Sequence, residues 1–559
     1  MDFKKELVNI LKKELNQDVE SLLEIPPDPS LGDYALPCFT LAKALKKPPQ
    51  EIAQSLSKKI HAAFIERVEA KGPYLNFFIS KSLIAQSVLK EVLSQKEKYG
   101  CSAIGKGKTI VIDMSSPNIA KAFGIGHLRS TIIGNSLRHL LVSQGYKVIR
   151  VNHLGDWGTQ FGKLITAYKK WGNEKELNKD PIRYLLSLYI KFHHESEKDI
   201  SLEDEARLWF KKLEDGGKEA RLLWKKFRDL SIKDFKKIYK LLNVDFESYE
   251  GEAFYNDKME SVIKELQAKH LLEESEGAEI VDLEKYGLTS AIIRKKDGAT
   301  VYITRDLAAA LYRKKKYKFD KMLYEVGSEQ KLHFQQLFRI LELMDYSWAK
   351  NCVHINHGLY LGSDKKKLAT RKGKTIFMEE VLKEAIELAK KTIQEKNPSL
   401  KNKDKVAEAV GVGAIIFGDL SSDRTNDIIF DIDKFISFEG ETGPYLQYAH
   451  ARLCSILRKV KKQSKNIDPS SFDAEECQII KNLGSFPSII QETLVHHKPS
   501  ILARYLLDIA QAVNSYYVTH PILKSEEPIK SARLALISAV QLVLNHGLKL
   551  LGIEPLERM

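Results

Sequence analysis

The densest run of chemically useful side chains lies between residues 113 and 131: Asp113-Met-Ser-Ser-Pro-Asn118-Ile-Ala-Lys121-Ala-Phe-Gly124-Ile-Gly126-His127-Leu-Arg-Ser-Thr131. It joins the apolar run Thr109-Ile-Val-Ile-Asp113, which has the pattern of a strand buried on both faces, to a helical pattern from Leu128 to Val142. Parallel α/β sheets bind ligands at such strand-to-helix junctions. The first N–H groups of the helix are unpaired there and carry the positive end of its dipole, which suits a phosphate. Gly124 and Gly126 remove side chains, so that a phosphate or a flat base can reach the backbone, and His127 is placed to donate to the same anion. A glycine-rich turn that caps the helix explains these residues equally well, so the loop alone leaves nucleotide binding and capping level.

Three other segments carry charge or flat rings. Lys367-Leu-Ala-Thr-Arg371, followed by Lys372-Gly373, is a basic loop that in isolation reads as solvated surface. Asp297-Gly298-Ala-Thr-Val-Tyr302-Ile-Thr-Arg-Asp306 reads as a turn, a strand and a helix opening near Thr304, which puts Asp306 in the first helical turn. A carboxylate favouring the helix dipole is enough to explain Asp306, and packing is enough to explain Tyr302. Near the C-terminus, Gly443-Pro-Tyr445-Leu-Gln-Tyr448-Ala-His-Ala-Arg452 and Ser515-Tyr516-Tyr517 set aromatics beside arginine. Such rings stack on splayed-out bases at about 1 to 3 kcal/mol each, although on helices they are usually core.

The elements that must position these residues follow from periodicity. Up to about residue 98, helical patterns (Phe3 to Leu15, Pro49 to Phe64, Lys81 to Leu93) alternate with short strands such as Tyr74 to Ile79, a small α+β domain. Glycines and lysines from Gly100 to Lys108 break the pattern. The strand at Thr109, the helix at Leu128 and a second strand, Lys147 to Val151, then follow in the order of a βαβ unit. From Ala167 to Gln267 the chain is lysine-rich and helical, an insertion with Trp171, Trp209 and Trp224 as packing anchors. Strands return at Ala291 to Lys295 and Lys321 to Val326. A polar linker is read at Asn397 to Lys405, and beyond it helices at Gly443 to Lys462, Pro499 to Thr519 and Ser531 to Leu551. Lysine clusters such as Lys314 to Lys316 read as solvated surface.

Composition narrows the partners. A chain of 559 residues implies three to four domains, at about 150 residues each. Hydrophobic residues at 43% and charged residues at 29% exclude long disorder. A net charge of +14 points to a polyanion, with nucleic acid first. Five cysteines without a Cys-x-x-Cys pair supply neither a disulfide framework nor a tetrahedral zinc site, which fits a reducing cytosol. No stretch approaches the roughly 18 uninterrupted apolar residues of a membrane span.

The strings SSPNIAKAFGIGHLRSTIIGNSL and VNHLGDWGTQFGKL (Val151 to Leu164) resemble the "HIGH" region of class I aminoacyl-tRNA synthetases and the strand after it, in the form found in the arginyl family. The resemblance covers nearly the whole chain, least clearly the insertion. It implies that His127 is the motif's second histidine, which helps hold the ATP phosphates, with Gly124 in place of the first and Ala122 where a proline is common. It implies that the segment from Lys367 to Arg371 is a degenerate "KMSKS" loop, and that Lys121, just upstream of the HIGH motif, replaces its missing second lysine. Lys121, His127 and Lys367 are thus the expected catalytic residues, and Gly124, Gly126 and Arg371 complete the expected ATP site.

The same resemblance implies an arginine pocket. A guanidinium has five N–H donors, and planar acceptors must meet them because unpaired donors are costly. Tyr302 and Asp306 match the family's guanidinium contacts and Asp113 a further carboxylate position, while Asn118 and Gln330 match residues that bind the substrate's main-chain groups. His153 and His333 read as structural or functional alike. By likeness to the family's anticodon-binding domain, Tyr445, Tyr448 and Tyr517 line an anticodon site. Gly72-Pro-Tyr74-Leu-Asn76-Phe resembles the appended module that reads the tRNA elbow, through Tyr74 and Asn76.

The expectation is therefore a multidomain α/β protein. Its parts would be an N-terminal α+β domain (1–98), a Rossmann-like parallel-sheet catalytic domain with a helical insertion (99–398) and an all-α anticodon-binding domain (399–559). It would join L-arginine to tRNA(Arg) through an arginyl-adenylate, with ATP and Mg2+ and without a tightly bound metal. A cytoplasmic monomer with no membrane partner is expected, and arginine activation is expected to need bound tRNA.

Overall fold

The structure is a computed structural model describing residues 3–559 except 367, 369, 372, 373, 461–467, 469 and 470; for Pro29, Thr370, Arg371, Lys374 and Thr375 only the backbone is described. The chain forms two compact units: Met1–Tyr99 with Leu453–Phe486 and Ile509–Val543, and Gly100–Arg452 with Pro487–Asp508 and Leu544–Met559.

In the first unit, helices α1 (Phe3–Leu15) and α2 (Pro49–Lys59) accompany an antiparallel sheet of β1 (Tyr34–Pro37), β2 (Ile65–Lys71) and β3 (Tyr74–Ile79), in the order β1-β3-β2. Leu7, Val8 and Leu11 recur at helical spacing and meet Leu36, Leu75, Phe77 and Ile79 in one core. Helix α3 (Lys81–Gln95) packs on the later helix Ala474–Gly484. That helix opens on a reciprocal capping box between Asp473 and Glu476.

The second unit is built on four parallel strands: β4 (Thr109–Asp113), β5 (Lys147–Val151), β6 (Lys321–Gly327) and β7 (Cys352–His357), in the order β7-β6-β4-β5. Helix α4 (Gly126–Ser143) joins β4 to β5, while the chain returns to the other side of β4 as β6. The strand order therefore reverses at β4, and the crevice at its carboxyl end is where a parallel sheet takes ligands. The lysine-rich region contains α5 (Gln160–Trp171), α6 (Pro181–Ser196), α7 (Ser201–Glu214) and α8 (Lys218–Leu241). Trp209 is buried there, and Trp224 donates its ring N–H to the Asp156 carbonyl at 2.7 Å. Then come α9 (Tyr302–Tyr317), α10 (Lys331–Leu343), α11 (Met378–Lys396) and α12 (Lys403–Leu420).

Two expectations are corrected. Among the described residues no strand lies between Asp297 and Asp306; helix α9 already starts at Tyr302, so that Asp306 lies in its second turn. The β-branched run at Val301 to Thr304 suggested extended chain, but Ile303 is buried in the sheet's core and Thr304 donates its hydroxyl to the Ile293 carbonyl at 2.6 Å, and this packing overrides propensity. The polar stretch from Asn397 is a short connection between α11 and α12, which pack on one another through Ala389, Ile393, Val406 and Val410. The helix Ile529–Leu551 is long and apolar enough to cross a membrane by length and composition, though polar residues interrupt it, and 72% of its most apolar window is buried, as in the core helix of a folded domain.

Candidate functional site

The loop after β4 is backbone under tension. Ser115, Ser116 and Ala120 have φ of 74°, 49° and 56°, left-handed values that cost a residue with a Cβ roughly 1–2 kcal/mol each. The loop ends in α4, where the His127 amide donates to the Gly124 carbonyl at 3.0 Å and Thr131 Oγ1 donates to the His127 carbonyl at 2.7 Å. A Cβ on Gly126 would meet nothing within 4 Å, and one on Gly124 only the Ile376 carbonyl at 3.5 Å, so both glycines leave open space over the backbone. Burial pushes His127 down to about 4, with the Lys121 field adding to it against an opposing Gly124 interaction. The imidazole is neutral at pH 7, and its buried Nδ1 has no hydrogen-bond partner. Lys121 is exposed.

Backbone joins this loop to the stem of the second motif. Gly124 bridges Phe377, and the Met378 amide donates to the Phe123 carbonyl at 2.9 Å. Arg371 lies in a two-residue strand, Thr370–Arg371, paired antiparallel with Lys374–Thr375. Lys367 lies outside the described residues.

The carboxyl edge of the sheet carries a charged cluster. Asp113, at the end of β4, is buried and accepts from Arg313 of α9 at 2.7 Å and from the Ser116 hydroxyl at 3.1 Å. The Arg313 guanidinium also lies 3.1 Å from His153 Nδ1. An arginine only donates, so Nδ1 is the acceptor and the proton of neutral His153 sits on Nε2, 3.6 Å from Asp306 Oδ1. Asp306 Oδ2 is 2.6 Å from His333 Nε2. Tyr302, Asp306 and Arg313 share a face of α9 by their spacing of four and seven residues.

Burial works against the Arg313 cation, but the neighbouring Asp113 more than offsets this and holds its pKa well above the ordinary value. Burial and Arg313 together keep His153 below its usual range, hence neutral, although Asp113, Asp306 and Asp156 pull the other way. Burial pushes Asp306 up, but the His333 hydrogen bond and the fields of His153, His333 and Arg313 outweigh it, so the carboxyl ends below its usual range. Asp113 and Arg313 neutralise one another, and Asp306 remains as an anion whose partners here are imidazoles. A cation with planar donors is the ligand that such a site takes.

The remaining pocket residues divide. Asn118 is exposed and its backbone bridges Gly155. Gln330 is exposed, three residues beyond β6 on the same carboxyl edge. A Cβ on Gly155 would lie 2.0 Å from Asn118 Oδ1, so a side chain at position 155 would displace that of Asn118. Tyr302, 63% exposed, lines a cavity of about 1090 Å³ whose other walls include Trp157, Phe210, Trp224, Phe254, Arg221 and Arg305. Near it burial pushes Glu252 up to about 7, with Asp306 and Asp156 adding to it against Arg305, so that Glu252 is half-protonated near neutrality.

Arg313, His153, Trp157 and Glu252 were not legible as a group: Arg313 and Asp113 are 200 residues apart in the chain. In the first unit, Tyr74 is 36% exposed and packs edge-on against exposed Phe39 at 5.8 Å, whereas Asn76 is buried within the sheet. Tyr448 is exposed under the Arg452 guanidinium at 4.8 Å, Tyr445 is half-buried in the same unit, and Tyr517 is exposed in the other.

Comparison with known proteins gives three family matches: the class I (R) tRNA synthetase catalytic domain over residues 88–432, the DALR anticodon binding domain over 446–559, and the arginyl tRNA synthetase N terminal domain over 1–79. The chain is 50% identical to an arginine–tRNA ligase of Clostridium kluyveri and 49% identical to that of Clostridium perfringens, each covered in full along with this chain. Its fold is similar to the arginyl-tRNA synthetase of Thermus thermophilus, with a TM-score of 0.82 at 24% identity over 100% of this chain and 99% of the other. The Plasmodium falciparum enzyme is similar to the same degree.

Proposed function

The chain belongs to the class I arginyl-tRNA synthetases, and on that premise we propose how its own residues carry out the two steps of an arginine–tRNA ligase. The substrates are L-arginine, ATP and tRNA. In the first step the arginine carboxylate attacks the α-phosphorus of ATP, the bond to the β-phosphate breaks, and arginyl-adenylate and diphosphate result. In the second, the 2′ hydroxyl of the terminal tRNA adenosine attacks the activated carbonyl and AMP leaves. Neither step needs a side-chain nucleophile, so rate comes from positioning and from cations placed where charge develops.

The Asp306 carboxylate, held by imidazoles and not by an arginine or lysine, beside the Asp113–Arg313 pair is the observation that carries the substrate reading. It supports Asp306 as the guanidinium acceptor, Asp113 acting through Arg313, and Asn118 and Gln330 on the substrate's main-chain groups. Open backbone at Gly124 and Gly126, with the unpaired His127 nitrogen, supports triphosphate binding there, with Lys121, Lys367 and Arg371 as its cations. The ATP would carry Mg2+. The phosphate oxygens would hold the ion, and no residue of this chain is assigned to it. The cavity beside Tyr302, with aromatic walls and cations, suits the unstacked 3′ end of a tRNA.

The division proposed gives residues 1–98 to the tRNA elbow and the helices after the sheet domain to the anticodon, through Tyr445, Tyr448 and Tyr517. Tyr74→Ala is expected to raise the tRNA KM about tenfold, one lost base stack, with arginine and ATP KM unchanged. Equal tRNA KM in charging assays would remove the elbow role. A cytoplasmic monomer without membrane contact completes the reading. Diphosphate exchange with each amino acid, with and without tRNA, tests the whole: arginine alone should support it, and only with tRNA present. Exchange with another amino acid would redirect the pocket, and none at all would leave a tRNA-binding relative without catalysis.

A further inference from the structure

Helix α8 lends Arg221 and Trp224 to the cavity beside Tyr302, and further along one of its faces grips the strained loop after β4. Phe227, Ser231, Phe235 and Tyr239 recur every four residues and are buried, while Lys225, Lys233, Lys236 and Lys240 on the other side are exposed. Ser231 Oγ accepts the Ala120 amide N–H at 2.9 Å and donates to the Phe227 carbonyl at 2.7 Å. The Tyr239 hydroxyl lies 2.8 Å from Ser115 Oγ and accepts from the Asn152 side-chain amide at 2.8 Å. Phe235 and Tyr239 also meet Phe123 edge-on at 5.7 and 5.5 Å.

The points of contact coincide with the strain. Ser115 and Ala120 are two of the three left-handed residues of the loop, and such backbone persists only where its surroundings over-determine it. Lys121 follows Ala120 directly, so the Ala120 dihedrals set the direction from which its side chain leaves the loop. Ala120 is buried, and without the Ser231 oxygen its N–H would have no acceptor.

We propose that Ser231 and Tyr239 are positioning residues for adenylation: α8 holds residues 115–120 in the one conformation that aims Lys121 at the triphosphate. This rests on the reading of Lys121 as a triphosphate cation. The test is diphosphate exchange across ATP concentrations for Ser231→Ala and Tyr239→Phe in the full-length chain, each alone and with Lys121→Ala, with folding followed by circular dichroism. Each single variant is expected to lower kcat about tenfold with the ATP KM within about twofold, and to add less than about twofold once Lys121 is gone, because a cation already absent cannot be misdirected. Full kcat in both single variants, or losses that multiply with that of Lys121→Ala, would overturn the positioning role while Lys121 keeps its own. Parental rate in Lys121→Ala alone would remove the cation reading and this inference together. If Ser231→Ala does not fold, Tyr239→Phe, which keeps the ring, carries the same comparison.

Discussion

Asp306→Asn is expected to lower kcat/KM for arginine by about two to three orders of magnitude while leaving the ATP KM within about twofold. The substitution preserves shape and removes one negative charge, so it isolates the electrostatic part of recognition. Truncating one partner of a desolvated charge pair costs about 2–5 kcal/mol, and each 1.36 kcal/mol is tenfold in rate, about 1.5 to 3.7 orders, of which the expected loss is the middle. His333, 2.6 Å from the carboxylate, would still hold the amide oxygen, and the neutral His153 beside it loses nothing essential. The pocket would then contain Asp113 and Arg313 in balance and no net attraction for a guanidinium. Steady-state exchange with arginine and tRNA measures the effect, and a variant with ordinary arginine kcat/KM would exclude Asp306 as the acceptor. Asp113→Asn makes the contrast: it leaves the Arg313 guanidinium, 1% exposed, without its anion. Its main effect should be a lower melting temperature, since breaking a buried pair costs about 3–5 kcal/mol.

That contrast shows what the sequence could and could not disclose. The strand Thr109–Asp113 was legible because both faces are covered and its run is apolar, whereas Lys147–Val151, an edge strand with only Val151 buried, was legible from its place in the βαβ order. Tyr74–Ile79 was equally clear from its composition. Asp113 and Asp306 were both legible as carboxylates, but not their unequal roles, because those depend on Arg313. In the sequence Arg313 leads into Lys314 to Lys316, a cluster that reads as solvated surface, whereas the helix turns Arg313 inward and leaves Lys315 outward. Tertiary pairing over 200 residues decides which carboxylate is already neutralised, and no local pattern records it. The same holds for α8. Its lysines announce a solvated face, but the Ser231 and Tyr239 contacts on the opposite face depend on a loop more than 100 residues earlier.

Lys121→Ala is expected to slow adenylation by about 10²- to 10³-fold with little change in the affinity for arginine or in folding. The lysine is exposed and forms no described ion pair, so its removal leaves no buried partner stranded and the melting temperature should stay within a degree or two. Its value lies in the transition state, where negative charge builds on the departing diphosphate. A preorganised cation at that point contributes about 2.7–4 kcal/mol, by analogy with a single oxyanion donor, and this sets the magnitude. His127 cannot substitute for it, because burial holds the imidazole down to about 4 and neutral at pH 7, a hydrogen-bond donor without charge. Raising the pH from 6 to 8 should therefore not restore or abolish the residual activity through His127, whose titration lies well below that window. Lys121→Arg keeps the charge but changes its reach and should recover only part of the rate. Single-turnover formation of arginyl-adenylate on the tRNA-bound enzyme separates the chemical step from substrate binding. A Lys121→Ala variant with the parental rate in that assay would move the cation function to the second motif.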